Sequence, residues 1–224
     1  LFPFDLNLII QLVPRAIFDT LWMMLATSFF AFLFGLPLGL LLYATARGNF
    51  FENTWINRPI SILVDAVRAI PFIILAAYLY PVTRLVIGKA IGNEAMIFVL
   101  TLSAIPFYAR MVEVSLRSVD NNLIEAVRAM GASRLQIIRE VLLTEARSSL
   151  VSGFTVTVIA IVAASAMAGF VGGGGLGTIA INYGYQRYNL MIMSIVILLL
   201  IMLNFILQWF GDTIARKLNH NSPG

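Results

Sequence analysis

The side chains that perform covalent chemistry are nearly missing from this sequence. It has no cysteine and a single histidine, His220, in the tail. A Ser-His or Cys-His nucleophile and a His/Cys metal site therefore lack their parts. No catalytic residue, no metal ligand and no cofactor on this chain is expected. Gly172-Gly173-Gly174-Gly175-Leu176-Gly177 formally satisfies G-x-G-x-x-G. Its context is wrong for a dinucleotide site, because no strand precedes it, no acidic residue follows at about 20 positions, and apolar stretches flank it. It also lacks the Lys and Ser or Thr of a phosphate loop, and reads as a flexible or re-entrant connector at the outer membrane face. Two charge pairs remain, Asp65 with Arg68 and Arg110 with Glu113, each spaced i, i+3. Ions inside a membrane are costly and are paired or functional. The first pair reads as a structural pair near the inner interface or as a part of gating or dimer contacts; the second reads as a solvated pair at the end of a span.

The elements that must carry these residues follow from composition. The 224 residues are 60% hydrophobic and 12% charged, with mean hydropathy +0.91, against a charged fraction of about 25% in soluble domains. That excludes disorder and an ordinary soluble fold, and points to an all-α integral membrane protein. Five stretches are long and apolar enough to span: 20–44, 57–80, 95–114, 151–171 and 189–211. Gly35, Pro37 and Gly39 are expected to kink the first, and Pro71 and Pro106 to shape the second and third. The whole chain, 1–224, reads as one transmembrane domain. Residues from Phe4 to Phe18 are too polar to span and suggest a short amphipathic helix at the outer interface. No basic segment precedes a cleavable apolar one, so a cleaved secretory leader is not expected.

Lys and Arg set the orientation. Arg47 and Arg58 lie between spans one and two; Arg117, Arg128, Arg134, Arg139 and Arg147 lie between three and four; Arg216 and Lys217 lie in the tail. The opposite side holds Arg15, Arg84, Lys89 and Arg187. The amino terminus is thus expected outside and the carboxyl terminus in the cytoplasm. Trp22, Trp55 and Trp209 fall near span ends, where an interfacial aromatic belt belongs. The net charge of +4 is dispersed between apolar spans rather than gathered on a soluble module, so nucleic acid is not an expected partner.

The loop over 117–147 is polar yet strongly punctuated. Asn122 with Glu125 has the form of a capping box, and Ser133 with Gln136 repeats it. Leu123, Ile124, Ala126, Val127 and Met130 give the first helix an apolar face, and Gly131 can take the left-handed conformation that ends it. Leu135, Ile138 and Leu142 follow at helical spacing, so the loop reads as two short helices around a glycine. Such a unit lies on lipid headgroups or against a protein. The mixture of Asp120, Glu125, Glu140 and Glu145 with arginines favours a protein partner.

Glu125-Ala126-Val127, Gly131 after three more residues, and Val141-Leu142-Leu143 after nine more resemble the EAA loop of permease subunits in bacterial ABC importers, E-A-A-x3-G-x9-I-x-L-P. Val127 replaces the second alanine and Thr144 the closing proline. The Arg68-Ala69-Ile70-Pro71-Phe72 segment, Pro106-Phe107 with Ala109-Arg110-Met111-Val112-Glu113, the Gly174–Gly177 turn and Tyr183-Gly184-Tyr185 are similar to the methionine-uptake branch of that family. The resemblance implies a bacterial inner-membrane, multi-pass permease for methionine (D and/or L) that is not itself an enzyme. It implies that Glu125, Ala126, Val127, Met130, Gly131, Ala132 and Ser133 form an ATPase-coupling surface. The implied partners are two ABC ATPase subunits, an extracytoplasmic substrate-binding protein and membrane lipid.

Five helices enclose too little wall for a solute path, and an odd number excludes an inverted repeat within the chain. A homodimer with the path on its twofold axis supplies the missing wall. Ser165 and Met167, before the glycines, are candidates for that path or its gate, the alternative being that Met167 fills a helix contact. Competing readings are a permease for another amino acid or small osmolyte, and, in a different class, a passive channel or structural membrane subunit.

Overall fold

A computed structural model describes residues 6–219; His220 lies outside them. Among the described residues every regular element is a helix. Four helices among the described residues are long and apolar enough to cross a bilayer, and a bent pair makes a fifth when taken as one span.

The first helix, α1 (Leu6–Thr45), runs unbroken through Pro14 and Pro37. The separate interfacial helix expected over 4–18 is instead, from Leu6 onward, the beginning of this element. The reason lies in its apolar stripe. Leu12, Ala16 and Ile17 pack on Leu176, Ile179, Ile192 and Val196 of the same chain, so protein rather than lipid covers them. The span expected over 57–80 is broken. Helices α2 (Thr54–Ala69) and α3 (Phe72–Tyr78) meet at 104°. Pro71 forces the preceding residue out of the helical region, and Ile70 is accordingly extended, at φ −81° and ψ 124°. A further short helix, α4 (Tyr80–Ile87), leads through Gly88 to α5 (Asn93–Arg117).

The core is built around α5. Its Tyr108, Ala109, Val112 and Leu116 are fully buried, and α1 crosses it closely because Gly35 and Gly39 form a small-xxx-small face. A Cβ on Gly39 would lie 2.5 Å from the Ala109 carbonyl oxygen. The first glycines are therefore a packing surface, beyond any kink.

After α6 (Asn121–Ala129), the chain turns at Gly131 into α7 (Arg134–Gln136), a π-helical turn over Ile137–Leu142, and α8 (Leu143–Ala168). These last three stack into one helix reaching Val171. The second short helix expected in the loop is thus the start of a long, apolar helix; Thr144, where the family motif has proline, lets the backbone continue. A glycine-rich turn, α9 (Gly175–Ile179) and a π-helical segment over Ala180–Tyr185 precede α10 (Leu190–Leu218). That last helix exposes Leu198, Ile201, Met202, Phe205 and Ile206 and meets α8 where Gly211 stands against Thr155.

The glycine-rich turn is not a flexible connector. A Cβ on Gly177 would lie 2.2 Å from the Ala166 carbonyl oxygen, and one on Gly169 2.4 Å from the Gly177 carbonyl carbon. The Leu176 amide donates to Thr20 Oγ1 (2.8 Å) and the Gly92 amide to the Gly172 carbonyl (2.9 Å). Glycine is needed there because backbones touch.

Candidate coupling surface

The α6–Gly131–α7 unit is set by local chemistry at each end. The cap of α6 is Asp120, whose carboxylate accepts from the Asn122 amide at 2.9 Å. The box expected from Asn122 and Glu125 does not form. A carboxylate before the first turn also complements the helix dipole, which explains why Asp120 takes the position. At the other end the Met130 and Gly131 amides close onto Ala126 and Arg128 carbonyls, and Gly131 adopts φ +88° with nothing within 4 Å of where a Cβ would be. The Ser133–Gln136 capping box is present: the Ser133 amide donates to Gln136 Oε1 (2.9 Å), and the Gln136 amide to Ser133 Oγ (3.4 Å).

Burial divides the named residues into two groups. Ile124 is buried and Val127 and Ala132 are half-buried, packed into a cluster with Tyr43 and Phe50, Tyr108, Val112 and Leu116 of α5, Ile137 and Leu142 of the π turn, and Ala146. Glu125, Ala126, Met130, Gly131 and Ser133 face out, and Met130 is 78% exposed. One face of the unit is fused to three long helices; the other is bare, with Leu123, Met130 and Leu135 presenting apolar surface.

Two arginines add a brace that periodicity did not reveal. Arg128 lies over the Phe50 ring at 5.4 Å and Arg134 over the Phe51 ring at 5.5 Å. The loop between α1 and α2 therefore clasps both sides of the Gly131 turn. Two adjacent aromatics in an otherwise polar loop were the available signal.

The charge pairs merge into one network between α2 and α5. Arg110 binds Glu113 (2.5 Å), Asp65 (2.7 Å) and Ser61 Oγ (3.0 Å); Arg68 binds Asp65 (3.2 Å), and Arg117 also holds Glu113. The Glu113 side chain is only 3% exposed, so the solvated pair expected at Arg110 and Glu113 is a buried one. Fixed-spacing arguments find partners within a helix; Asp65 and Arg110 are 45 residues apart.

Of the two path candidates, Ser165 is buried with its hydroxyl donating to the Val162 carbonyl at 2.8 Å, whereas Met167 is exposed. A small cleft of about 60 Å³ between α5 and α8 is lined by Ser103 and Phe107, with Thr157, Ala160 and Ala164 opposite. Ala160, Ala164 and Met167 share one helix face by spacing; Ser165 does not share it. Among the described residues no cluster of His, Asp or Glu suits a metal ion.

Comparison with known proteins agrees with this architecture. A family model described as binding-protein-dependent transport system inner membrane component matches residues 35–220. The probable D-methionine transport system permease protein MetI of Vibrio cholerae is 43% identical over 210 residues, covering 94% of this chain and 93% of the relative. The D-methionine transport system permease protein MetI of Salmonella typhimurium is 48% identical over 158 residues, covering 70% and 73%. A solved chain from inward-facing conformations of the MetNI methionine ABC transporter superposes with TM-score 0.92 at 45% identity, covering 95% of this chain and 98% of that one. A chain of an amino acid ABC transporter crystallised with histidines shares the fold, with TM-score 0.76 at 16% identity over 91% and 92%. With 35–220 matched by the family model and near-complete overlap with its relatives, this chain belongs to the binding-protein-dependent transport system inner membrane components.

Proposed function

We propose that the chain is the transmembrane permease subunit of an ATP-driven methionine importer, working as a homodimer with the solute path on its twofold axis. The carrying observation is the two-faced α6 unit: Ile124 and Val127 are welded to the bundle core, while Ala126 and Met130 present an unpartnered apolar face. A unit so built transmits displacement rigidly, because packed interiors do not deform continuously. Two ATPase subunits grip the faces of the two α6 units. Glu125, Ala126, Met130, Gly131 and Ser133 make the contact; Val127 and Ala132 hold it to the bundle. The loop over 117–147 and both chain ends obey the Lys/Arg bias, with the amino terminus outside and the carboxyl terminus in the cytoplasm. A binding protein delivers substrate at the outer face. The α5–α8 face carrying Phe107, Ala160, Ala164 and Met167 lines the path. Methionine rests on the names of relatives above 40% identity, the Vibrio cholerae and MetNI chains among them.

The test is transport and hydrolysis measured together in proteoliposomes containing the assembled complex. Gly131→Val should leave membrane insertion intact while lowering nucleotide-dependent methionine uptake and uncoupling it from hydrolysis. Wild-type uptake with normally stimulated ATPase activity would refute the coupling role. Competition by other amino acids equal to that by D- and L-methionine would remove the substrate assignment alone.

A further inference from the structure

Asp65 already holds Arg68 and Arg110, Glu113 holds Arg110 and Arg117, and Glu52 accepts the Gly48 amide. Arg47 and Arg58 are left with no carboxylate within 4.0 Å among the described residues. Both line the same cleft of about 280 Å³, between the end of α1 and the first turns of α2, together with Thr45, Thr54, Asn57 and Ser61. The polar wall is pre-organised. Asn57 Nδ2 is fixed on the Leu42 carbonyl (2.7 Å) and Thr45 Oγ1 (3.0 Å), and Ser61 Oγ accepts from Arg110, which leaves its proton directed elsewhere. Two unpaired guanidiniums flanked by hydroxyls are the donor set of a phosphate site.

The surroundings say which phosphate. Trp55, one residue beyond Thr54, is 92% exposed, as an aromatic anchor at headgroup depth would be. Ile62 lines the cleft, and Ile56, Ile62 and Leu63 are exposed along the same helix. A ligand with an anionic head and an apolar tail fits both surfaces; a soluble phosphate uses only one. We propose that this cleft binds the phosphodiester headgroup of an anionic phospholipid from the cytoplasmic leaflet, with Arg47 and Arg58 as the charge-reading residues. The leaflet assignment rests on the orientation proposed above.

The purified full complex, titrated with phosphatidylglycerol or phosphatidylcholine and weighed by native mass spectrometry, tests this. The wild type should retain phosphatidylglycerol preferentially. Removing both cations in Arg47→Gln/Arg58→Gln should lower that retention by about twenty-five-fold, at about fivefold per arginine, with phosphatidylcholine unaffected. Arg15→Gln, at the far end of α1, should change nothing. Equal retention of the two lipids, or retention unchanged in the double variant, overturns the proposal. So does displacement of phosphatidylglycerol by millimolar glycerol 3-phosphate or inorganic phosphate, which would make the site one for soluble anions. The same spectra count attached ATPase subunits. ATPase attached without lipid preference fails this inference alone; lipid preference without attached ATPase fails the coupling reading alone.

Discussion

Two glycine-marked turns stand at opposite ends of the continuous Arg134–Val171 helix, and they use glycine for opposite reasons. At Gly131 the surroundings are empty and the backbone is left-handed, at φ +88°. At Gly177 the neighbouring backbone would lie 2.2 Å from an added Cβ. The first glycine supplies a conformation; the second supplies room. Under the function proposed above both are used: the closely packed Gly177 turn, outer in the proposed orientation, holds one end of the helix, while the Gly131 turn, inner in that orientation, presents the surface that a partner pushes. The difference also predicts that equal substitutions will have unequal effects.

The largest effect should come from Gly177→Val. No side chain can be accommodated between backbones that already touch: one extra methyl in a tight contact already costs about 1–3 kcal/mol, and valine forces three carbons against the Ala166 backbone, which exceeds the cost of a single core truncation. The valine variant should yield little monodisperse protein in detergent by size-exclusion chromatography. Recovery of a well-folded peak with an unchanged melting temperature would show that the outer turn has slack and would erase the contrast.

Next in size is Phe50→Ala. Phe50 is 5% exposed and joins the cluster that fuses the α6 unit to α1 and α5. Phe→Ala changes in cores cost about 3–5 kcal/mol, so thermal melting of the purified complex should fall clearly. If melting holds while coupled transport is lost, the brace acts in transmission rather than stability, which sharpens the inner half of the comparison.

Gly131→Val should cost about 1–2 kcal/mol, since the only penalty is the left-handed backbone of a residue with a Cβ. Gly131→Asn is the decisive companion, because asparagine tolerates that conformation. It should retain melting temperature and coupled uptake where valine loses uptake. Equal failure of both would mean that Gly131 is needed for room beside a partner and not for its φ, and the two turns would then be alike.

How much of this was legible follows the range of the interaction. Gly131 and the Ser133–Gln136 box were readable because both are settled within four residues of chain. The stretches 95–114 and 151–171 lie inside α5 and the α7–α8 helix with its extension to Val171, and 189–211 falls in α10 from Leu190 on, because apolar length alone marks them. Where tertiary contact decides, the reading fell short. Pro71 was visible, but the 104° bend depends on Ile70 having nowhere helical to go. Asp120 and Asn122 both suit an N-cap, and only the folded geometry chooses between them. The tight fit of Gly174 against Asn93 and Gly177 against Ala166 has no sequence signature, since glycine chosen for room and glycine chosen for freedom are spelled alike. Likewise Ser165 and Met167 are two residues apart and face different surroundings, a distinction that helix phase reveals once the packed side is known.

The smallest effect, and the finest test of the inner turn, is Phe51→Ala. Phe51 is exposed, so its loss removes little buried area; what goes is the contact beneath Arg134. An exposed cation–π contact is worth about 0.5–1 kcal/mol, and melting should hardly move. Arg134 opens α7 directly after Ser133, so freeing its guanidinium loosens the exit from the Gly131 turn without touching Gly131 itself. Coupled uptake should therefore drop modestly in Phe51→Ala and recover in Phe51→Tyr, which restores the ring. A drop that tyrosine does not restore would mean that the ring packs against the docked ATPase instead, and the clasp on the turn would be Phe50 and Arg128 alone.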